Sequence, residues 1–164
     1  MKGKEAYRVS VEKDYLVFAS AHFITFAGHR CETLHGHNYR ASLRVDGGLE
    51  PDSWFVVDFS AVKKVMRSLT AELDHKVLLP RDNPKLDISE RNGSLHVAFA
   101  GQPRYVFPVG DCVILPIPNT TVEMLAQYLA GRVRAALGAF QLKTIEVEVE
   151  ENFGQSASYR ETLD

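Results

Sequence analysis

Three of the six histidines in this 164-residue chain lie close together in its N-terminal part. His35 and His37 are two residues apart, so on an extended strand both imidazoles point to the same face. His22 ends another strand-like run, and antiparallel pairing of the two runs would bring a third imidazole beside them. Three neutral imidazoles leave one position of a tetrahedral zinc ion open, which is typical of catalytic sites. The spacing therefore predicts a catalytic metal site.

Other polar residues near the predicted site are open to more than one interpretation. Cys31 precedes His35 by four positions, which would place a base or nucleophile beside the metal. A free cysteine is also often a small buried apolar residue. His29 and His96 have no partner at a useful spacing, and we interpret both as ordinary polar residues.

Asp74 and His75 directly follow the first predicted helix. A histidine at a helix C-terminus interacts favourably with the helix dipole, and the spacing alone favours this structural role. A carboxylate that orients an imidazole would instead serve proton transfer. Both interpretations remain open from the spacing.

Glu151 interrupts the alternation of the last long strand by falling on its apolar-facing parity. A carboxylate on a buried face is costly unless it is paired or awaits a ligand donor, which makes Glu151 a candidate ligand anchor. Thr120 and Glu123, three residues apart, have the form of a capping box. With Thr121 between them, they are most simply interpreted as a helix N-terminus.

Composition narrows the class of protein. A formal net charge of −2 gives no electrostatic argument for binding nucleic acid or an anionic membrane. No apolar run approaches the roughly 20 residues of a transmembrane helix, and no signal-peptide core follows the basic N-terminus. Two cysteines suit a reducing compartment, so we expect a cytoplasmic protein, with a Cys31–Cys112 disulfide as the less favoured alternative. The length predicts a single domain over residues 1–164.

Hydrophobic periodicity predicts two helices and four main strands. Apolar residues three and four apart, from Phe59 to Leu73, predict a helix that ends near Asp74 and His75, and a second helix opens at 119–123. An extended run follows at 77–80. The predicted strands are 7–23 with a break at Asp14, 37–46, 144–150 and 156–161.

Residues 81–112 form an insertion between the extended run and the second helix. Ser94–Ala98 and Arg104–Phe107 resemble short strands, joined as a hairpin by a turn at 101–103. The order strand, strand, helix, hairpin, helix, strand, strand predicts an α+β fold. Its four-stranded antiparallel sheet would carry both helices on one face.

These residues resemble the family of 6-pyruvoyl-tetrahydropterin and 6-carboxytetrahydropterin synthases, which are zinc enzymes with the tunnelling fold. The resemblance covers about 10–80 and 113–161, whereas 81–112 is longer than usual and could be a lid or an oligomer contact. Six motifs in the family's order carry it: Phe18-Ala19-Ser20-Ala21-His22, Cys31-Glu32-Thr33-Leu34-His35-Gly36-His37-Asn38-Tyr39, Val57-Asp58-Phe59, Leu73-Asp74-His75, Thr121-Val122-Glu123 and Val149-Glu150-Glu151.

The resemblance implies a set of functional residues. Cys31 would be a catalytic base, and Asp74 with His75 would form a proton-transfer pair. Glu151 would anchor the pterin ring, and the stretch from Thr121 to Glu123 would line the same pocket. Family members are trimers or hexamers with active sites at subunit interfaces. The Zn²⁺ ligands would be His22, His35 and His37.

The resemblance leaves the reaction product open. The three-residue spacer between Cys31 and His35 resembles 6-carboxytetrahydropterin synthases of the queuosine (7-deazaguanine) pathway, which act on 7,8-dihydroneopterin triphosphate. Glu32 also satisfies the pattern Glu-x-x-His-Gly-His, found in members that release 6-hydroxymethyl-dihydropterin for folate synthesis. A 6-pyruvoyl-tetrahydropterin product and a non-catalytic zinc protein that binds pterin are further alternatives. The leading hypothesis is the 6-carboxytetrahydropterin synthase reaction.

Overall fold

The computed structural model describes residues 6–152 and 154–163. These residues form a six-stranded sheet with two helices packed on it, and a separate three-stranded sheet. A 3₁₀ turn lies at Val109–Asp111. The elements are β1 (Tyr7–His22), β2 (His35–Gly47), α1 (Phe59–Leu73), β3 (Lys76–Pro80), β4 (Leu86–Arg91), β5 (Ser94–Phe99), β6 (Gln102–Pro108), β7 (Cys112–Leu115), α2 (Val122–Ala136), β8 (Leu142–Asn152) and β9 (Gln155–Thr162).

The large sheet corrects the predicted four-stranded antiparallel sheet. Its strand order is β7-β3-β1-β2-β8-β9, and the pairs from β1 to β9 are antiparallel as expected. β3 and β7 extend it on the other side, and both of these pairs are parallel. The sheet is therefore six-stranded and mixed.

The two parallel strands are short and lack the alternation that marks a half-buried strand. The sequence predicts an extended run at 77–80 but gives no sign that it belongs to the sheet. It gives no prediction of β7. β3 buries three consecutive residues, from Leu78 to Pro80. Strands that are covered on both faces form such continuous apolar runs, which local periodicity cannot assign to a partner.

The insertion is larger than the predicted hairpin. β5 and β6 lie close to the predicted short strands and pair antiparallel. A third strand, β4, pairs with the other edge of β5 and was missed by the sequence analysis. The inserted sheet, which we define as β4, β5 and β6, therefore has three strands.

The helix boundaries follow from their caps. Asp58 precedes α1 and accepts a hydrogen bond from the Ser60 backbone N–H at 2.7 Å. The predicted capping box at Thr120 is wrong by one residue, because Thr121 is the N-cap of α2 and accepts from the Met124 N–H. The Thr120 hydroxyl is buried and donates to the Phe23 carbonyl instead.

The inward face of the large sheet and both helices share one hydrophobic core. β1 contributes Leu16 and Phe18, after a register shift between Glu12 and Val17 that matches the predicted break near Asp14. Because side chains alternate along a strand, the inward parity of β1 continues through Ser20 to its last residue. In this way the core face leads directly to the polar end of the sheet.

In the part of the chain that the structure describes, no helix is long and apolar enough to cross a membrane.

Candidate metal centre

The three histidines meet at one end of the large sheet, as predicted. β1 and β2 pair antiparallel, with His22 opposite His35 and Ser20 opposite His37. The ring centroid of His22 lies 4.8 Å from that of His35 and 5.3 Å from that of His37. The two histidines of β2 are themselves 4.8 Å apart, so all three imidazoles share one small region.

A carboxylate from a third strand joins these imidazoles. β8 pairs with β2, with Val149 opposite Ala41, and Glu151 lies two residues further on the same face. Its Oε1 atom is 2.5 Å from Nε2 of His37 and 3.8 Å from Nε2 of His22. The parity of Glu151 follows from the sequence, whereas its place beside the histidines depends on the pairing of β8 with β2. The ligand atoms of these four residues all lie within 4.8 Å of one another.

Backbone carbonyls orient two of the rings. Nδ1 of His22 lies 2.8 Å from the carbonyl oxygen of Thr120, and Nδ1 of His35 lies 2.9 Å from that of Thr33. A carbonyl oxygen only accepts, so each Nδ1 carries the proton and each Nε2 keeps its lone pair. A hydrogen bond from Nδ1 to a backbone carbonyl is typical of histidines that bind a metal through Nε2.

The free nitrogen atoms fit a metal ion. Nε2 of His22 and Nε2 of His37 are buried and face the Glu151 carboxylate at 3.8 and 2.5 Å, but neither makes a hydrogen bond within the described residues. Buried nitrogen and oxygen atoms that lie together without a hydrogen bond are costly, and a cation bound between them would satisfy them. Burial is the main cause that lowers the pKa of His22, which favours the neutral ligand form. The four residues therefore form a candidate site for a divalent metal.

Tyr39 is a buried neighbour of this site and lies on the same face of β2 as the core residues Ala41 and Leu43. Its ring lies edge-on to His22 and His37, with centroids 5.8 and 5.6 Å away. Its hydroxyl makes no hydrogen bond within the described residues, and burial raises its pKa. In the alternating pattern of β2, Tyr39 occupies a position typical of core residues. The sequence therefore gives no signal that distinguishes it from an ordinary core tyrosine.

Cys31 and Glu32 lie in different surroundings. The Glu32 carboxylate accepts from the Ile24 N–H at 3.2 Å and lies 3.8 Å from Nδ1 of His35. The Cys31 side chain packs against an apolar cluster that includes Phe23, and its thiol donates to the Glu32 carbonyl at 3.6 Å. Burial raises the pKa of this thiol. Thus the carboxylate borders the histidines, whereas the thiol lies among apolar side chains.

Comparison with known proteins decides the family. The family model described as 6-pyruvoyl tetrahydropterin synthase matches residues 10–162, which is most of the chain. The chain belongs to this family. The recognition made from the six motifs is therefore confirmed.

Three proteins to which this chain is similar carry different names. A protein of Methanocaldococcus jannaschii called a putative 6-carboxy-5,6,7,8-tetrahydropterin synthase is 37% identical over 91% of this chain and 92% of its own. A dihydroneopterin monophosphate aldolase of Pyrococcus furiosus is 34% identical over 56% of this chain and 75% of its own. A solved 6-pyruvoyltetrahydropterin synthase of Plasmodium vivax, in which a catalytic glutamate is replaced by alanine, has a TM-score of 0.89. It is 32% identical and covers 98% of this chain and 100% of its own.

The adjacent residues Asp74 and His75 lie outside the histidine group. Nδ1 of His75 is 2.9 Å from Oδ2 of Asp74, whose Oδ1 accepts from the Ala19 N–H at 2.8 Å. That backbone bond is the main cause that lowers the pKa of Asp74. The His75 side chain is 83% exposed, so the pair faces outward.

The stretch from Thr121 to Glu123 lies at the start of α2, directly after the carbonyl that holds His22. Thr121 is half-buried and Glu123 is exposed. The Thr121 hydroxyl accepts the helix-capping hydrogen bond from the Met124 N–H. A role of Thr121 and Glu123 in a substrate pocket stays a prediction.

Proposed function

We propose that the protein is a zinc-dependent lyase that converts 7,8-dihydroneopterin triphosphate to 6-carboxy-5,6,7,8-tetrahydropterin, a step of the queuosine (7-deazaguanine) pathway. The observation that carries this proposal is the convergence of three imidazoles and a carboxylate, in which two buried Nε2 atoms face Glu151 without a hydrogen bond. The Methanocaldococcus jannaschii relative, which matches nearly the whole chain, is named for this product. Two free cysteines support a cytoplasmic location, where thiols stay reduced.

The metal would be held by His22, His35 and His37 through their Nε2 atoms. When bound, Zn²⁺ would act as a Lewis acid that polarises the side-chain hydroxyls of the dihydropterin and acidifies the adjacent C–H positions. The carbonyls of Thr33 and Thr120 would keep two of the rings oriented for this task.

The pterin ring would be recognised by Glu151. A carboxylate can accept two hydrogen bonds, one from a ring N–H and one from the exocyclic amine of a pterin. Its position next to His37 would bring the ring's side chain to the metal. The start of α2, with Thr121 and Glu123, would complete the pocket.

Proton transfer would use groups on two sides of the substrate. Cys31 would take a proton on one side, and His75, oriented by Asp74, would exchange one on the other. His75 is exposed and lies outside the metal group of its own chain. We therefore propose a trimer or hexamer in which this pair completes the site of a neighbouring subunit.

A second candidate reaction is the release of 6-hydroxymethyl-dihydropterin for folate synthesis, with Glu32 as the base. It is favoured by the Glu32 carboxylate, which lies 3.8 Å from His35, whereas the Cys31 thiol packs among apolar side chains. The aldolase relative and the Plasmodium vivax glutamate variant agree with such a role.

Product analysis tests the two candidates directly. Zinc-loaded protein is incubated with 7,8-dihydroneopterin triphosphate, and the products are identified by mass spectrometry. The main proposal expects 6-carboxytetrahydropterin, lost in Cys31→Ala and retained in Glu32→Gln. Cys112→Ala is the matched control, because Cys112 packs against the same apolar cluster as Cys31.

Other products would redirect the assignment. If only 6-hydroxymethyl-dihydropterin formed, and Glu32→Gln abolished it, the second candidate would replace the first. A 6-pyruvoyl product would instead assign the reaction of the synthases that carry that name. Tight pterin binding without any product would indicate a non-catalytic zinc protein.

A further inference from the structure

The inserted sheet packs on the loop that joins β1 to β2, residues 23–34, which we call the 23–34 loop. This loop carries Cys31 and Glu32. Inside the loop, the Phe26 N–H donates to the Arg30 carbonyl at 3.0 Å, and the Glu32 N–H donates to the Ile24 carbonyl at 2.8 Å. These few internal bonds close the loop but leave much of its backbone to be held from outside.

Side chains of β6, the edge strand of the inserted sheet, hold the C-terminal half of the loop. One guanidinium nitrogen of Arg104, Nη2, donates to the Glu32 carbonyl at 2.9 Å and to the Cys31 carbonyl at 3.4 Å. The Tyr105 hydroxyl accepts from the Leu34 N–H at 3.1 Å. The backbone of both candidate bases, and of the residue before His35, is therefore bound to β6.

The segment that leads into the inserted sheet holds the N-terminal half. The amide of Asn83 donates to the Thr25 hydroxyl at 2.8 Å. The Lys85 ammonium donates to the Gly28 carbonyl at 2.8 Å and also contacts the Phe26 carbonyl. Side chains from 83–105 thus hold the loop at points from Thr25 to Leu34.

Apolar contacts join the same two elements. The Tyr105 ring lies 5.3 Å from the buried Phe23 ring, and the Arg104 guanidinium lies over the Tyr105 ring at 5.2 Å from its centroid. Cys31 and Leu34 pack against the cluster that Phe23 forms with inward residues of the inserted sheet. Hydrophobic burial therefore adds to the hydrogen bonds, and the loop cannot shift without disturbing the inserted sheet.

From these contacts we infer that the inserted sheet clamps the 23–34 loop, and that Arg104 and Tyr105 are positioning residues for Cys31 and Glu32. The catalytic part of this inference rests on the proposed function, whereas the clamp itself does not. Proton transfer requires a base within hydrogen-bond reach of the reacting position, so a displaced loop slows the chemical step more than it weakens substrate binding. The insertion therefore acts on the site from outside it.

Amide hydrogen exchange tests the clamp without any substrate. Tyr105→Phe keeps the ring on Phe23 and removes only the oxygen that accepts from Leu34. We expect the Leu34 amide to exchange about tenfold faster, because local opening is then less costly. Arg91→Ala is the matched control, since Arg91 is an exposed residue of β4 whose side chain makes no hydrogen bond or ion pair with any described residue. The Leu34 amide of this variant should exchange at the wild-type rate.

Steady-state kinetics with 7,8-dihydroneopterin triphosphate test the positioning role. Arg104→Ala should lower kcat about tenfold and Tyr105→Phe about threefold, with KM within about twofold and zinc content unchanged. Arg91→Ala should keep the wild-type kcat. A change in KM alone, or loss of zinc, would show that Arg104 and Tyr105 do not act by positioning the bases.

The two assays separate the two proposals. Unchanged Leu34 exchange and unchanged kcat in Tyr105→Phe would overturn the clamp even if Arg104→Ala proved too unstable to study. A wild-type protein that turned over no pterin would instead refute the proposed function, while the exchange rates would still decide whether the clamp exists.

Discussion

Two histidine–carboxylate pairs in this molecule look alike in distance but differ in construction. His37 and Glu151 are 2.5 Å apart and come from different strands, whereas the adjacent residues Asp74 and His75 are 2.9 Å apart. The His37 side chain is 14% exposed, and that of His75 is 83% exposed. The first pair depends on the register between β2 and β8, whereas the second joins two residues that are adjacent in the chain.

Burial explains what each pair can do. The Nε2 atoms of His22 and His37 are withdrawn from water and face the Glu151 carboxylate without a hydrogen bond, which favours a cation among these atoms. The His75 imidazole lies beside Asp74 but is exposed to solvent, so a second molecule can reach it. The buried group is thus suited to hold a metal, and the exposed pair to exchange a proton with something that approaches it.

The largest expected difference between the two regions is in metal binding. His37→Ala removes a donor atom from the buried group, so zinc affinity should fall at least about 100-fold and turnover should be lost with it. Metal analysis after dialysis against a zinc buffer measures this. His75→Ala is the control and should retain stoichiometric zinc. Stoichiometric zinc in His37→Ala would refute the ligand assignment.

The exposed pair should affect turnover alone. In His75→Ala we expect kcat to fall about 100-fold, the scale of a lost general acid or base, with zinc content and the unfolding midpoint near wild type. If the pair serves a neighbouring subunit, mixing Cys31→Ala with His75→Ala protein should restore part of the activity, because some sites then contain both groups. No recovery after verified subunit exchange would contradict a shared site.

Glu151 tests whether its carboxylate serves the substrate or the metal. Glu151→Gln keeps the size of the side chain but cannot accept two charge-assisted hydrogen bonds, so KM for the pterin should rise about tenfold. Zinc should remain stoichiometric. Loss of zinc in this variant, with unchanged KM in a zinc-saturated assay, would make Glu151 a fourth metal ligand instead.

The smallest expected effect is on stability at the exposed pair. The Ala19 N–H, and secondarily His75, hold the pKa of Asp74 below its usual value, so this carboxylate stabilises the fold above about pH 4 and the contribution is lost as pH falls through the lowered pKa. Because Asp74 is 40% exposed, solvent screening limits the loss in Asp74→Asn to about 1 kcal/mol at pH 7.

Urea unfolding at several pH values measures this loss. The difference between Asp74→Asn and wild type should shrink below pH 4. A difference that stayed constant down to pH 2 would assign the effect to packing and not to the charge.

Local pattern was sufficient for much of the site. The period of two in β1 and β2 placed the three histidines on one face, and the odd parity of Glu151 marked it as a buried carboxylate before any strand partner was known. The amphipathic stripe from Phe59 to Leu73 predicted α1, and the helix ends at Leu73, next to the predicted end near Asp74 and His75. Each of these inferences uses only neighbours a few positions apart, where backbone geometry dictates which side chains share a face.

Other features depend on contacts between distant parts of the chain. The parallel strands β3 and β7 and the third strand of the inserted sheet, β4, were not predicted as sheet strands. Their pairing partners are set by packing and not by the alternation of residues along each strand. Thr121 and not Thr120 caps α2, because the Thr120 hydroxyl donates to the backbone carbonyl of Phe23.

The sequence by itself determined the family, the identity of the three histidines and the two candidate bases, since these follow from residue types at short spacing. Only the tertiary structure decided that Glu151 lies beside His37, that Glu32 rather than Cys31 borders His35, and that Arg104 holds the backbone of both. The physical reason is that these contacts join residues far apart in the chain, and their distances depend on strand register and on how the inserted sheet packs against the loop.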